Sequence, residues 1–310
     1  MCYTVKNDSK EPGMQLKERV LANKKLFWAC VAGGALLAAA LLSGLMIGLI
    51  LLFSKPEEPE PPKITKPVVQ ERPAPRPSPP KETSLTPQDF QYDGEYLTCI
   101  AAPSRLGIDI SEHQGQIDWQ AVKDAGITFA MIRVGGRGYG MKGALYKDDL
   151  FRINYEGAKA AGIEVGAYFF SQATSVAEAK EEAALVLEQI KGLDLNFPVV
   201  YDWERMEYED SRTLHTDPRT VTDCMIAFCE EIEAAHQQVM IYFNPDHAAD
   251  LFYIEEVTSY RFWLAYYTDW MDFPYKVDMW QYTNEGRVPG IEGDVDINLY
   301  FPEADRYIKE

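Results

Sequence analysis

Asp202 and Glu204 stand two positions apart at the end of an apolar run, Phe197-Pro198-Val199-Val200-Tyr201. The run reads as a short buried strand. In a strand, residues i and i+2 point to the same face, with Cα atoms roughly 6–7 Å apart. Two acids held that close repel each other. Their environments can then split their pKa values, leaving one protonated and one ionised near neutral pH. Such a pair is equipped to break a glycosidic bond. An Asp-x-Glu triplet is also common at the solvated start of a loop, so the elements around the pair must decide.

Short apolar runs at 106–110, 128–134, 165–170, 197–201, 239–243, 262–266 and 277–281 read as strands. Helical periodicity covers 151–161, 176–190 and 219–236. Asp217-Pro218 is a helix start, with Asp as cap and Pro in the first turn. Continuous apolar strands separated by helices imply a parallel sheet covered on its faces. Seven or eight of them predict an irregular (β/α) barrel in the α/β class.

A barrel of this kind carries its site at the C-terminal ends of the strands. Asp109 falls at such an end, as do Tyr168, the Asp202/Glu204 pair, Trp263 and Tyr266, and Trp280, Gln281 and Tyr282. Asp294 and Asp296 follow near the end of the chain. Pyranose rings present apolar C–H faces to aromatic rings, so Tyr168, Trp263, Tyr266, Trp280 and Tyr282 are candidates for substrate binding. Gly135, Gly136, Gly138 and Gly140 lack the Lys-Ser/Thr of a phosphate cradle and read as a flexible rim loop.

Charge narrows the partners. The net charge is −18, yet residues 1–55 carry +4 and 56–88 balance, which leaves −22 on the remainder. So acidic a domain argues against nucleic acid, whose phosphates need a basic face. Cys2, Cys30, Cys99, Cys224 and Cys229 are too scattered for a disulfide framework. They form no cluster with His113, His215, His236 or His247 that would suggest zinc, so no metal site is expected.

The N-terminal third has a different organisation. Residues 1–25 form a basic tail, and 26–53 contain no charged residue. A helix over that run would be about 42 Å long, against a hydrocarbon core of about 30 Å. It is expected to cross a membrane once. The basic flank then puts the N-terminus in the cytoplasm and everything after residue 53 outside the cell. Residues 54–89 are rich in proline and predict an extended spacer, on the order of 100 Å at full reach. The catalytic domain is expected over 90–310.

The chain resembles the family 25 glycoside hydrolases, the lysozymes or N-acetylmuramidases. The matching text is Gly107-Ile108-Asp109-Ile110-Ser111, Gln114-Gly115 with Ile117-Asp118-Trp119, and Phe129-Ala130-Met131-Ile132-Arg133. It continues through Asp148, Phe151 and Asn154, Ala161-Gly162-Ile163, and Gly166-Ala167-Tyr168-Phe169. It ends with Pro198–Glu204, Trp263-Leu264-Ala265-Tyr266, Met279-Trp280-Gln281-Tyr282 and Asp294–Asn298. The resemblance implies retaining cleavage of the β-1,4 bond between N-acetylmuramic acid and N-acetylglucosamine in peptidoglycan, without metal or cofactor. Glu204 matches the general acid/base, Asp202 its partner, and Asp109 and Asp296 the other two acids of the pocket. A chitinase-type glycosidase and a non-catalytic peptidoglycan-binding domain on a membrane tether are the alternatives. Oligomeric state is not readable from the sequence.

Overall fold

The computed structural model of the chain describes residues 82–309. The expected tail, the 26–53 helix and most of the spacer lie outside the described residues. Among those described, no helix is long and apolar enough to cross a membrane.

The elements run β1 (Phe90–Asp93), β2 (Tyr96–Cys99), β3 (Arg105–Ile110), α1 (Trp119–Asp124), β4 (Phe129–Arg137) and β5 (Leu145–Lys147). Next come α2 (Phe151–Ala160), β6 (Glu164–Ser171), α3 (Val176–Ile190), β7 (Val199–Trp203) and α4 (Pro218–Ala234). The chain closes with β8 (Val239–Phe243), α5 (Pro245–Asp250), β9 (Arg261–Ala265), β10 (Met279–Gly286) and β11 (Val295–Tyr300). The sheet runs β3-β11-β10-β9-β8-β7-β6-β4, and pairing of β3 with β4 closes it into an eight-stranded barrel. Asp217 caps α4 as its sequence requires, accepting from the backbone N–H of Arg219 (3.0 Å) and Thr220 (3.1 Å). A cap of this type contributes about 1 kcal/mol.

Strand periodicity sorts the barrel into two apolar layers. Phe129, Met131, Phe197, Val200, Met240, Trp263 and Met279 point inward and plug the barrel. The alternate residues, among them Ile108, Tyr201, Ile241 and Trp280, face outward against the helices and the β1–β2 hairpin. Each such side chain contributes about 1.5–3 kcal/mol by leaving water. Gly107 makes the closure possible: a Cβ there would lie 2.3 Å from the Phe129 ring.

The sheet departs from the expected all-parallel layout at two strands, β5, which lies antiparallel on the edge of β4, and β11 within the barrel. β11 runs antiparallel to both β10 and β3. No helix separates it from β10, and so short a return must come back antiparallel. The glycine-rich stretch is also not a free loop throughout. Gly135 and Gly136 belong to β4 and pair with β5. A Cβ on Gly135 would meet the Tyr146 carbonyl at 2.2 Å, so glycine here allows close strand approach rather than mobility.

Residues 82–89, assigned above to the spacer, are already part of the domain. Thr83 bridges Ile308 antiparallel. Ser84 N–H donates to the Tyr307 carbonyl and Lys309 N–H to the Glu82 carbonyl, both at 2.8 Å. This strap lies at the barrel floor. β11 ends there, with Tyr300 paired to Arg105 and to Met279, the first residues of β3 and β10.

Candidate active site

Asp202 sits one residue before the end of β7, on the inward parity shared with Val200. Its neighbours hold the strand in that rotation from outside. The Tyr201 ring packs on Phe228 of α4 at 4.7 Å, and Trp203 Nε1 donates to the Ala173 carbonyl at 2.9 Å. Glu204 follows the strand, and its carbonyl accepts from Gln172 Nε2 at 2.6 Å. Fixed at both ends of this short reach, the two carboxyls face the same space and interact electrostatically.

They open on a cavity of about 230 Å³ at the C-terminal end of the parallel strands, lined also by Asp109, Asp296, Arg133 and Tyr168. Asp109 and Asp296 are register partners on β3 and β11, which places them side by side on the inner face. Asp109 Oδ2 accepts two amide N–H groups, from Gln281 Nε2 and Asn298 Nδ2, each at 2.8 Å. Arg133 is clamped to Asp148 (2.9 Å) and Glu112 (3.1 Å), and its charge offsets only in part what burial and the neighbouring acids do to Asp202.

The acids consequently hold protons tightly. Burial, then the charges of Glu204 and Asp109, push Asp202 well above the ordinary carboxylate range. Burial and the Asp296 charge push Asp109 up likewise, against its two amide donors. Burial raises Asp296 to about 6. Burial and Asp296 also raise Glu204, while Asp202 beside it pulls it down. Asp202 is buried, with Oδ1 out of water and unpartnered, whereas Glu204 is half-buried.

The structure brings all four candidate acids together, with Tyr168 and Trp263 on the wall. Three of the expected aromatics need correction. Trp280 faces outward, packs edge-on against Phe90 at 5.3 Å and donates to the Tyr266 carbonyl at 2.7 Å. Tyr282 shares that outward parity, and its hydroxyl accepts from Leu97 N–H at 3.3 Å. Tyr266 packs against the same outer core. Strand parity rather than residue type decides this, because Met279 and Gln281 take the inward positions of β10. Tyr242, Tyr267, Phe170 and Gln281 complete the wall instead. Tyr242 was within reach of sequence reasoning, since it lies two positions after inward-facing Met240.

A second group of buried charges lies between the sheet and α3. Arg137 binds Glu182 through Nε (2.7 Å), Glu181 through Nη2 (3.1 Å) and the Gly143 carbonyl through Nη1 (2.8 Å). Ser171 Oγ donates to Glu182 at 2.6 Å, and Arg212 pairs with Glu178.

A proton held by acids buried together at a barrel mouth walled by tyrosines can be delivered to a glycosidic oxygen, and this chemistry defines a glycoside hydrolase. Comparison with known proteins narrows the class. The profile of the glycosyl hydrolases family 25 matches residues 108–291, and the chain belongs to that family. It is 29% identical over 228 residues to Lysozyme M1 of Streptomyces globisporus, across 65% of this chain and 69% of that protein. The bacterial lysozyme of Streptomyces coelicolor superposes with a TM-score of 0.53 at 28% identity, over 66% of this chain and 94% of the other. The modular autolysin LytC of Streptococcus pneumoniae, solved with a synthetic peptidoglycan ligand, gives a TM-score of 0.57 at 26% identity. That match covers 64% of this chain and 47% of the autolysin, so this chain matches about half of its length.

Proposed function

We propose that this chain is a muramidase that cleaves the β-1,4 bond between N-acetylmuramic acid and N-acetylglucosamine in peptidoglycan, with retention. The observation that carries the reading is the gathering of Asp202, Glu204, Asp109 and Asp296 around one strand-end cavity. Family membership and the lysozyme names of its relatives support the substrate.

The arrangement also bears on mechanism. Acid and nucleophile of a double displacement flank the sugar from two sides, about 5–5.5 Å apart. Asp202 and Glu204, two positions apart at one strand end, approach the cavity from the same strand. The substrate's own acetamide is the better nucleophile, with its carbonyl oxygen attacking the anomeric carbon. Its N–H would donate to Asp202 and favour the ionised form there. Glu204, whose proton affinity burial and the Asp296 charge raise, gives its proton to the leaving oxygen. Asp202 steadies the charge that develops on the acetamide, and Glu204 afterwards takes a proton from the water that opens the intermediate. Tyr168 would hold the sugar ring, with Trp263 packed edge-on behind it at 6.1 Å. Asp109 and Asp296 keep the cavity negative toward the oxocarbenium-like centre.

We further propose that residues 26–53 anchor the chain in the cell membrane and present the barrel outside it, on the proline-rich spacer. The charge asymmetry and apolar length of that segment support the reading.

The test is digestion of purified peptidoglycan by the full chain, with reducing ends identified after borohydride labelling. Muramic acid termini are expected, and NMR of the unreduced product, followed before mutarotation, should show the β anomer first. Glucosamine termini alone would mean a glucosaminidase, and wall binding without new termini would mean a non-catalytic domain.

A further inference from the structure

Asp109 is held in an unusual way. Both of its amide donors, Gln281 Nε2 and Asn298 Nδ2, go to the same oxygen, Oδ2. The Asn298 amide cannot turn over. Trp263 Nε1, which can only donate, gives its proton to Asn298 Oδ1 at 2.8 Å. The hydroxyls of Tyr242 (3.2 Å) and Tyr267 (3.0 Å) both donate to Gln281 Oε1. Aromatic and amide side chains from four strands and one loop therefore converge on one carboxylate oxygen. Oδ2 has no room for a proton. Oδ1 has no protein partner and is not sealed off, so it is the oxygen open to the cavity.

Asn298 and Gln281 do different work. Asn298 is fully buried and anchored to buried Trp263, so its side is rigid. Gln281 is anchored in part by Tyr267, whose side chain is half exposed at the cavity rim on the segment after β9. We propose that Gln281 is a positioning residue that ties the rim tyrosine Tyr267 to Asp109 and keeps Asp109 Oδ1 turned to the Asp202–Glu204 pair. The proposal rests on the glycosidase reading above and deepens it, since it assigns a task to a side chain that never meets the scissile bond. A sugar seated against Tyr267 would press on the Gln281 amide and so on the aim of Asp109.

The full chain with Gln281→Met, of similar volume but without hydrogen bonds, tests this on purified peptidoglycan. Loss of an amide donor favours protonated Asp109. The expected result is a kcat lowered tenfold or more, KM within about twofold, and an acidic limb of the pH–rate profile moved to higher pH. Tyr267→Phe, a substitution at the rim that leaves the core alone, is expected to shift the same limb in the same direction with a kcat loss of two- to fivefold. A merely structural Gln281 would lower the melting temperature and the active fraction while both profiles superimpose on wild type. Superimposed profiles in both variants overturn the proposal alone. A wild-type chain that releases no new termini overturns the glycosidase reading, and this proposal with it.

Discussion

Two clusters of acids in the barrel are built on opposite principles. Between the sheet and α3, Glu182 meets Arg137 and Ser171, and Glu178 meets Arg212. Inside the mouth, Asp109, Asp202, Glu204 and Asp296 crowd around a space whose nearest guanidinium is already committed to Asp148 and Glu112. Paired charges hold structure and are expensive to separate. Unpaired acids raise one another's proton affinity and store a proton for use. The same residue types thus act as a rivet on one side of the sheet and as an acid reservoir on the other.

Four variants can break or sharpen that contrast. Glu204→Gln should lose about 10²–10⁴-fold in turnover, read by release of soluble glycan, with melting unchanged or raised. Cleavage near the wild-type rate would remove Glu204 from the mechanism. Arg137→Met should instead cost stability, about 3–5 kcal/mol by denaturant melts, because Glu182 is left buried without its cation. Burial already raises Glu182 to about 7, so the loss should be smaller at pH 5 than at pH 8, where the carboxylate must be charged.

Asp296→Asn probes the reservoir through folding. Asp296 titrates at about 6 in the folded chain, against an ordinary value of 3.8. The folded form thus binds this proton more tightly than the unfolded form, and its contribution to stability declines as pH rises through that window. The asparagine variant should match wild type near pH 3 and gain up to about 3 kcal/mol above pH 7, since each tenfold difference in proton affinity is worth about 1.4 kcal/mol. A constant difference across pH would mean that Asp296 is not under strain. Tyr282→Phe should have the smallest effect, about 1–2 kcal/mol, as Leu97 N–H loses its acceptor. Its turnover should be that of wild type, in contrast to Tyr267→Phe on the cavity side.

Much of this was legible in the chain. Apolar runs placed the parallel strands within a few residues, because strands buried on both faces are written in Val, Ile and Phe. That Asp202 and Glu204 open on one cavity followed from the period of two. β11 was missed as a strand because Val-Asp-Ile-Asn-Leu alternates, and its acids drew attention away from the alternation. Trp280 and Tyr282 were misplaced because residue type does not say which parity faces in. The β1–β2 hairpin that covers them could not be foreseen from their own segment. Gln281 carries no sequence signal beyond its inward parity, and its role exists only through Asp109, 172 positions away.

The strap joining residues 82–84 to 307–309 has a mechanical consequence. Tension arriving along the chain at residue 82 enters the barrel through backbone hydrogen bonds at the floor and the Lys309–Glu82 ion pair at 2.7 Å. It is passed to the C-terminal segment and the base of β11, at the pole away from Asp202 and Glu204. With the proposed membrane anchor, the barrel would hang like a blade from its handle. Thermal tugging would be borne behind the edge, and the loops that grip the glycan would stay slack.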